Sequence, residues 1–156
     1  MSVKHYDVKN FSSSASIGYL TKLAHTLVHE RAAEAFAAHD LNFMQWIVLT
    51  KLHERTATTA SDLCRAMSHD TGALTRLLDQ LEELGYVERK RSGEDRRVVQ
   101  LRLTAAGRRR SLELTPLIVD LLNDALVDFS KSELQELMRL MNKLIDGLRA
   151  REGAPS

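Results

Sequence analysis

The chain has 156 residues, 28% of them charged and 44% apolar, the balance of one globular domain with room for an added oligomerisation part. Aromatic residues make up only 5%, Gly and Pro are scarce, and long runs rich in Leu, Ala, Glu and Arg favour helices. No apolar run approaches the ~18–20 residues of a membrane span, the N-terminus lacks the pattern of a signal peptide, and a single Cys excludes an internal disulfide framework. A cytoplasmic, mainly helical protein is expected.

The formal net charge of +1 conceals an asymmetry, because Tyr86 to Arg110 holds nine Lys and Arg against three Asp and Glu. A local basic feature on a near-neutral body predicts contact with a polyanion at one place, as in a nucleic-acid reader.

Residues 1–14 are polar and Ser-rich and read as a flexible N-terminal arm. From Ser16 onward Leu20, Leu23, Ala24, Leu27 and Val28 recur at helical spacing, and the helix is expected to reach about His39. After a turn at Asp40, Asn42 is placed to cap a second helix. Phe43, Trp46, Ile47, Val48, Leu49 and Leu52 surround most of that helix, so it reads as buried. Thr59 then caps a short helix, "ASDLCRAM", with Asp62 where a capping box reaches back. "SHDTG" interrupts the pattern, and Asp70 caps a further helix from about Thr71. Leu74, Leu77, Leu78, Leu81 and Leu84 line one face of it, and Gly85 supplies the stop. Two short helices joined by a tight polar turn form a helix-turn-helix.

"YVERKR" and "RRVVQLRLT" flank "SGED", and Val99, Leu101 and Leu103 alternate with Val98, Gln100 and Arg102. That alternation about a Gly-containing turn predicts a hairpin, and a helix-turn-helix followed by a hairpin is the order of a winged helix. Thr104 caps the next helix, which Pro116 is expected to kink rather than end. In "SKSELQELMRLMNKLIDGLRA", Ser130 or Ser132 can cap, and Leu134, Leu137, Met141, Leu144 and Leu148 alternate spacings of three and four. Such a seam needs a partner; it is too short for an independent coiled coil and is expected to pack against the first and penultimate helices. The fold expected is mainly α with a small β-hairpin wing. A winged helix-turn-helix over residues 41–103 is flanked by dimerisation helices over 15–40 and 104–150, in a homodimer.

A slim cationic hairpin tip can enter a DNA minor groove beside the major groove that holds a recognition helix. Gly93 allows the tight tip, and Arg96 and Arg97 supply charge. Asp95, two residues before Arg97, can hold that guanidinium by a bidentate bond and set its direction. The competing reading is a solvated hairpin with incidental charge.

The combination of "TASDLCRAM", "DTGALTRLLDQLEELGYVER" and "GEDRRVVQLRLTAAG" resembles the MarR family of bacterial winged-helix transcription regulators, over essentially the whole chain. The resemblance implies a homodimer built by the first and last two helices, with double-stranded DNA, a pseudo-palindromic operator, as its partner. Recognition helices enter major grooves and wing tips minor grooves, with Asp95 paired to Arg97. Thr71, Gly72, Thr75 and Arg76 lie near the start of the recognition helix and off its leucine stripe, and Ser68 and His69 in the turn are placed to touch phosphate. Arg76 could instead pair with Asp79 or Gln80 along its own helix.

Family members commonly bind aromatic acids or phenols between the dimer helices and the DNA-binding lobe, which by region implies Tyr19, Leu23, His25, Trp46 and Thr50 as the lining. Trp46 offers a stacking face and His25 a partner for a carboxylate, although Trp46 and Leu23 suit the core equally well. A repressor released by such an effector is therefore the leading expectation. Two alternatives are a thiol-based redox sensor using Cys64 and an architectural DNA binder without an effector. Cys64 reads as a buried, inert thiol filling the helix-turn-helix core, without a second Cys to resolve an oxidised form. His25, His29 and Glu30 superficially resemble a metal pair but show no HExxH order and no third ligand, so no metal is expected. No cofactor loop, nucleophile elbow or activated dyad supports an enzyme.

Overall fold

The computed structural model describes residues 4–67, 70–91 and 98–152. A short 3-10 turn, Ser13–Ala15, leads into α1 (Ile17–Phe36), followed by α2 (Phe43–His53), α3 (Ala60–Met67) and α4 (Thr71–Glu83). The strands β1 (Val87–Arg91) and β2 (Val99–Leu103) come next, then α5 (Ala105–Ala125) and α6 (Lys131–Glu152). The element order is that of a winged helix with helices before and after it. The chain divides into two compact units, one ending at Ile118 and the other beginning at Val119. No described helix is long and apolar enough to cross a membrane.

Local rules set most of the boundaries. Ser16 accepts the Tyr19 N–H at 3.2 Å and starts α1. Asn42 and Gln45 form a reciprocal capping box, each side chain taking the other's backbone N–H at 2.9 Å. Gln45 is buried, and its amide also donates to Gln80 Oε1 at 3.0 Å, so its burial carries no unmet polar group. Helix α1 ends at Phe36, short of His39, where the Ala37 and His39 N–H groups turn back to Glu34 and Phe36. Burial of both Phe36 and Leu41 forces the chain to turn between them. Helix α5 runs unbroken past Pro116; the Leu112 carbonyl that loses its partner there belongs to an exposed residue. That helix ends at Ala125, short of the apolar run to Phe129, where Leu126 and Phe129 close turns on Leu122 and Leu126.

The first unit's core joins Val48 and Leu49 of α2, Leu63 of α3, Leu74, Leu78 and Leu81 of α4, Val87 and Leu101 of the hairpin, and Leu114 of α5. Leu63 fills the helix-turn-helix core position expected for Cys64. One residue is a rotation of about 100° round a helix, so Cys64 is only half-buried, its Sγ 4.0 Å from the Thr71 hydroxyl. The strands pair antiparallel with Val87 opposite Leu103 and Arg91 opposite Val99. A bridge from Thr59 to Gln100, with the Leu101 N–H on the Thr58 carbonyl at 2.9 Å, adds a short third strand segment on the far side of β2.

Two helices end the same way with different residues. At the end of α4, the Gly85 N–H bonds Glu82 and the Tyr86 N–H bonds Leu81, with Gly85 at φ +73. At the end of α2, the Arg55 N–H bonds Leu52 and the Thr56 N–H bonds Lys51, with Arg55 at φ +56. Both are Schellman endings, whose left-handed position normally falls to glycine. An L-residue there costs about 1–2 kcal/mol, and Arg55 is the only described non-glycine residue in that region.

In the second unit, Ser130 caps α6 in a box with Glu133, whose N–H reaches the Ser130 hydroxyl at 3.2 Å while its carboxylate takes the Ser130 N–H at 2.8 Å. The Ser130 hydroxyl, which donates to the same carboxylate at 2.7 Å, and then the Ser130 N–H hold the Glu133 carboxyl below its ordinary pKa. No described side chain of α6 is buried; Leu134, Met141 and Leu144 are half-buried, and Leu137 and Leu148 are exposed.

Candidate nucleic-acid interface

Helix α3 opens with the expected box. The Thr59 N–H reaches Asp62 Oδ2 at 3.0 Å, and the Asp62 N–H reaches the Thr59 hydroxyl at 3.1 Å. Hydrogen bonds from the Thr58 backbone and the Thr59 side chain hold the Asp62 carboxyl below its usual value. Asp70 caps α4 by accepting the Ala73 N–H at 3.0 Å. Leu74, Leu77, Leu78 and Leu81 turn inward, whereas Leu84 is exposed. Thr71, Gly72, Thr75 and Arg76 therefore stand exposed on the first turns of α4. The Thr75 hydroxyl donates back to the Thr71 carbonyl at 2.8 Å. A Cβ on Gly72 would meet Asp70 Oδ2 at 3.2 Å, so the glycine lets the cap fold close over the helix start.

Arg76 does not pair along its helix, because both neighbours are engaged elsewhere. Asp79 bonds Arg89 at 2.6 Å, and Gln80 bonds Gln45. Among the described residues Arg76 has no ion-pair partner. Arg89, from β1, also reaches Glu82 at 2.5 Å, so one guanidinium fastens the hairpin to the recognition helix through two of its carboxylates. The hydrogen bond that Arg89 donates to Asp79, with that to Glu82, raises its pKa above its already high value despite partial burial.

A second junction, which nothing local in the sequence signals, centres on Asp40. Tyr86, just beyond α4, donates its hydroxyl to Asp40 Oδ2 at 2.6 Å, and Arg110 of α5 grips Asp40 Oδ1 through Nε at 2.8 Å and a second, shorter bond. Arg110 also pairs with Glu113 at 3.2 Å. Partial burial pushes the Asp40 carboxyl upward, but the bonds from Arg110 and Tyr86 outweigh it, and its pKa lies below the ordinary value. The same bond raises the Tyr86 phenol. Beside this junction the Thr104 hydroxyl donates to the Gly85 carbonyl at 2.7 Å and accepts the Gly107 N–H at 3.0 Å. A Cβ on Gly107 would lie 2.1 Å from the Tyr86 carbonyl oxygen, so only glycine lets α5 start this close to the turn after α4.

Ser68, His69, Gly93, Asp95, Arg96 and Arg97 lie outside the described residues. Of the residues expected to line an effector crevice, Tyr19, Leu23 and His25 are exposed on α1. Trp46 is buried; its indole N–H donates to the Ser111 carbonyl at 3.1 Å, and its ring stacks on Phe43 at 5.9 Å. Thr50 is half-buried and donates back to the Trp46 carbonyl. The His25 and His29 rings lie 4.1 Å apart, and among the described residues no third potential metal ligand joins them.

Residues 39–98 match the model of the MarR family, so the match runs from the Asp40 junction into the wing. The transcriptional regulator SarZ of Staphylococcus haemolyticus is 32% identical over 106 residues, covering 68% of this chain and 69% of that one. The chain belongs to the MarR family. Among solved structures, wild-type MarR from E. coli in its apo form aligns with a TM-score of 0.72 at 28% identity, covering 83% of this chain and 96% of that one. A cysteine-to-serine mutant of MarR from E. coli, complexed with operator DNA, aligns at 0.73 and 27% identity, over 89% of this chain and 99% of that one. As a MarR-family member the protein is a DNA-binding transcriptional regulator with a winged helix-turn-helix fold.

Proposed function

We propose that the protein is a homodimeric repressor that reads a pseudo-palindromic operator and is released from it by a small aromatic acid or phenol. Helix α4 lies in the major groove and the tip of the wing in the adjoining minor groove. The observation that carries the DNA reading is the state of α4: its core leucines are buried, while Thr71, Gly72, Thr75 and Arg76, which has no ion-pair partner among the described residues, are exposed. A free guanidinium there can take a guanine edge bidentately. Ser68 and His69 serve as phosphate contacts, and Asp95 aims Arg97, with Arg96 adding charge at the groove. Support for the dimer comes from apolar surface on the outer helices: Ile17, Leu20, Leu23 and Leu27 on α1 are exposed, as are Leu137 and Leu148 of the α6 seam.

Titration of a cognate operator and of random DNA, followed by anisotropy, tests the DNA reading. Arg76→Ala should cost ~1–3 kcal/mol on the operator and relax the preference at one position per half-site. An equal loss on random DNA would make Arg76 a phosphate contact instead. The effector half is tested with benzoate-, hydroxybenzoate- and cinnamate-type acids, using the single Trp46 as an internal fluorophore. Acids that quench Trp46 while leaving operator affinity unchanged would sink the release mechanism. The half-buried Cys64 beside Thr71 keeps a thiol switch as the second reading, and loss of inducibility in Cys64→Ser would favour it.

A further inference from the structure

Behind the base of the wing, the end of α2, the segment leading into α3, strand β2 and the start of α5 enclose a cleft of about 510 Å³. His53, Arg55, Arg102 and Arg108 line it together with Thr58 and Gln100, and its described lining contains no Asp or Glu. Three guanidiniums converge there, and none of them forms an ion pair among the described residues. Glu88, opposite Arg102 in the sheet, is engaged by Lys90 at 3.0 Å. Like charges gathered without a counter-charge among the described residues repel one another, so the cleft is electrostatically complementary to an anion.

The backbone adds two further features. The Leu101 N–H points to Thr58 and the Thr104 N–H to Tyr86, on opposite sides of the strand. By the same alternation the Leu103 N–H points away from β1, toward the side of β2 on which Thr58 lies. Arg55 is held in the left-handed conformation that the matching end of α4 gives to Gly85. A strained residue at the rim of a cleft, where glycine would be easier, is the kind of outlier that marks a site.

We infer that this cleft binds a small oxyanion, a metabolite carrying a carboxylate or phosphate group, with Arg55, Arg102 and Arg108 as its charged ligands. Its size is that of small-molecule sites. Arg102 lies three residues along β2 from Val99, about 10 Å at ~3.3 Å per residue, which sets the cleft back from the tip of the wing and favours a free small molecule over a DNA phosphate. Neither Trp46 nor Thr50 lines this cleft, and the inference does not depend on the aromatic-effector reading.

Isothermal titration of the full-length protein with inorganic phosphate, pyrophosphate and citrate, at constant ionic strength, tests it. At least one should bind saturably with a Kd below ~1 mM, one per chain. Arg102→Gln with Arg108→Gln should weaken that binding roughly 100-fold, since each lost charge-assisted bond is worth about a factor of ten, and should not lower the melting temperature, because it relieves repulsion. Arg55→Gly separates function from structure: it should raise the melting temperature by roughly 2–4 °C while weakening the anion about tenfold. If no probe saturates, or if the arginine variants bind it as well as the parent does, the inference is overturned. If none of the probes binds and the double variant instead loses affinity equally for operator and random DNA, the cleft is a phosphodiester contact, and the inference falls in that case too.

Discussion

Replacing Gly107 by Ala places a methyl group where the Tyr86 carbonyl oxygen is 2.1 Å away, the Tyr86 carbon 2.9 Å and Leu103 Cδ1 3.0 Å. Two of those three atoms are backbone, so no rotamer change relieves the clash. The start of α5 must retreat from the turn after α4 by about 1 Å to restore ordinary contact. The bond from the Thr104 N–H to Tyr86, now 3.0 Å, and that from the Thr104 hydroxyl to the Gly85 carbonyl, now 2.7 Å, would both pass the limit of useful hydrogen bonding. Overpacking of this kind costs about 1–3 kcal/mol and each lost bond about 1 kcal/mol. The better helix propensity of Ala returns about 1 kcal/mol. The net expectation is a loss of about 2–4 kcal/mol, which at roughly 2–4 °C per kcal/mol lowers the melting temperature by roughly 5–15 °C. Circular dichroism melts at one protein concentration read this directly. Gly147→Ala is the internal comparison, because a Cβ there meets nothing within 4 Å, and it should gain about 0.5–1 kcal/mol. A Gly107→Ala protein that melts at or above the parent temperature would show that α5 does not need this approach.

The Asp40 junction predicts a pH dependence. A carboxyl whose folded pKa lies below its unfolded value of 3.8 stabilises the fold above that value and loses the contribution as pH falls through the folded pKa. The gap in urea midpoint between parent and Asp40→Asn should therefore hold from neutral pH down to about 4 and close below it; a gap that widens on acidification would contradict the assignment. Tyr86 has the opposite sign: its raised phenol contributes below its ordinary 10.0 and loses the contribution as pH climbs through the folded value. Arg89→Met should weaken operator binding by ~1–2 kcal/mol by freeing two carboxylates beside the DNA face of α4, and adding Asp79→Asn with Glu82→Gln should recover part of it. No recovery would mean that repulsion is not the cause. Arg97→Ala should weaken operator binding strongly and Asp95→Ala in part; simple additivity in the double-mutant cycle would refute their pairing. Deletion from Ser132 onward should abolish the dimer and tight operator binding together, and a truncated protein that sediments as a dimer would refute the role of the Leu134–Leu148 seam.

What the sequence made legible is whatever acts within about four residues. The caps at Asn42, Thr59, Asp70, Thr104 and Ser130, the stop at Gly85 and the alternation along β2 follow from spacing alone, and each is present in the structure. Long-range pairing was not legible. Asp40 meets Tyr86 and Arg110 across 46 and 70 residues, and Gln45 meets Gln80 across 35, separations at which neither partner marks the other. Asp79 illustrates the difficulty: helical spacing offers it to Arg76, yet the fold gives it to Arg89. Cys64 and Leu63 differ by one position, and only packing decides which turns inward. Gly107 and Arg55 owe their character to a backbone approach and a backbone angle, neither of which residue type announces.

The grip of Arg89 on Asp79 and Glu82 has a bearing on operator evolution. With the hairpin fastened to α4, the element that enters the major groove and the one that enters the minor groove move as a single head on the proposed reading. An insertion of one base pair within a half-site would displace one contact by about 3.4 Å along the duplex and turn it by about a tenth of a revolution, more than a guanidinium clamped at 2.5–2.6 Å can follow. An insertion between half-sites instead strains the junction of two such heads. Natural operators of this regulator should accordingly keep a fixed length inside each half-site and carry whatever variation in length they have at the centre.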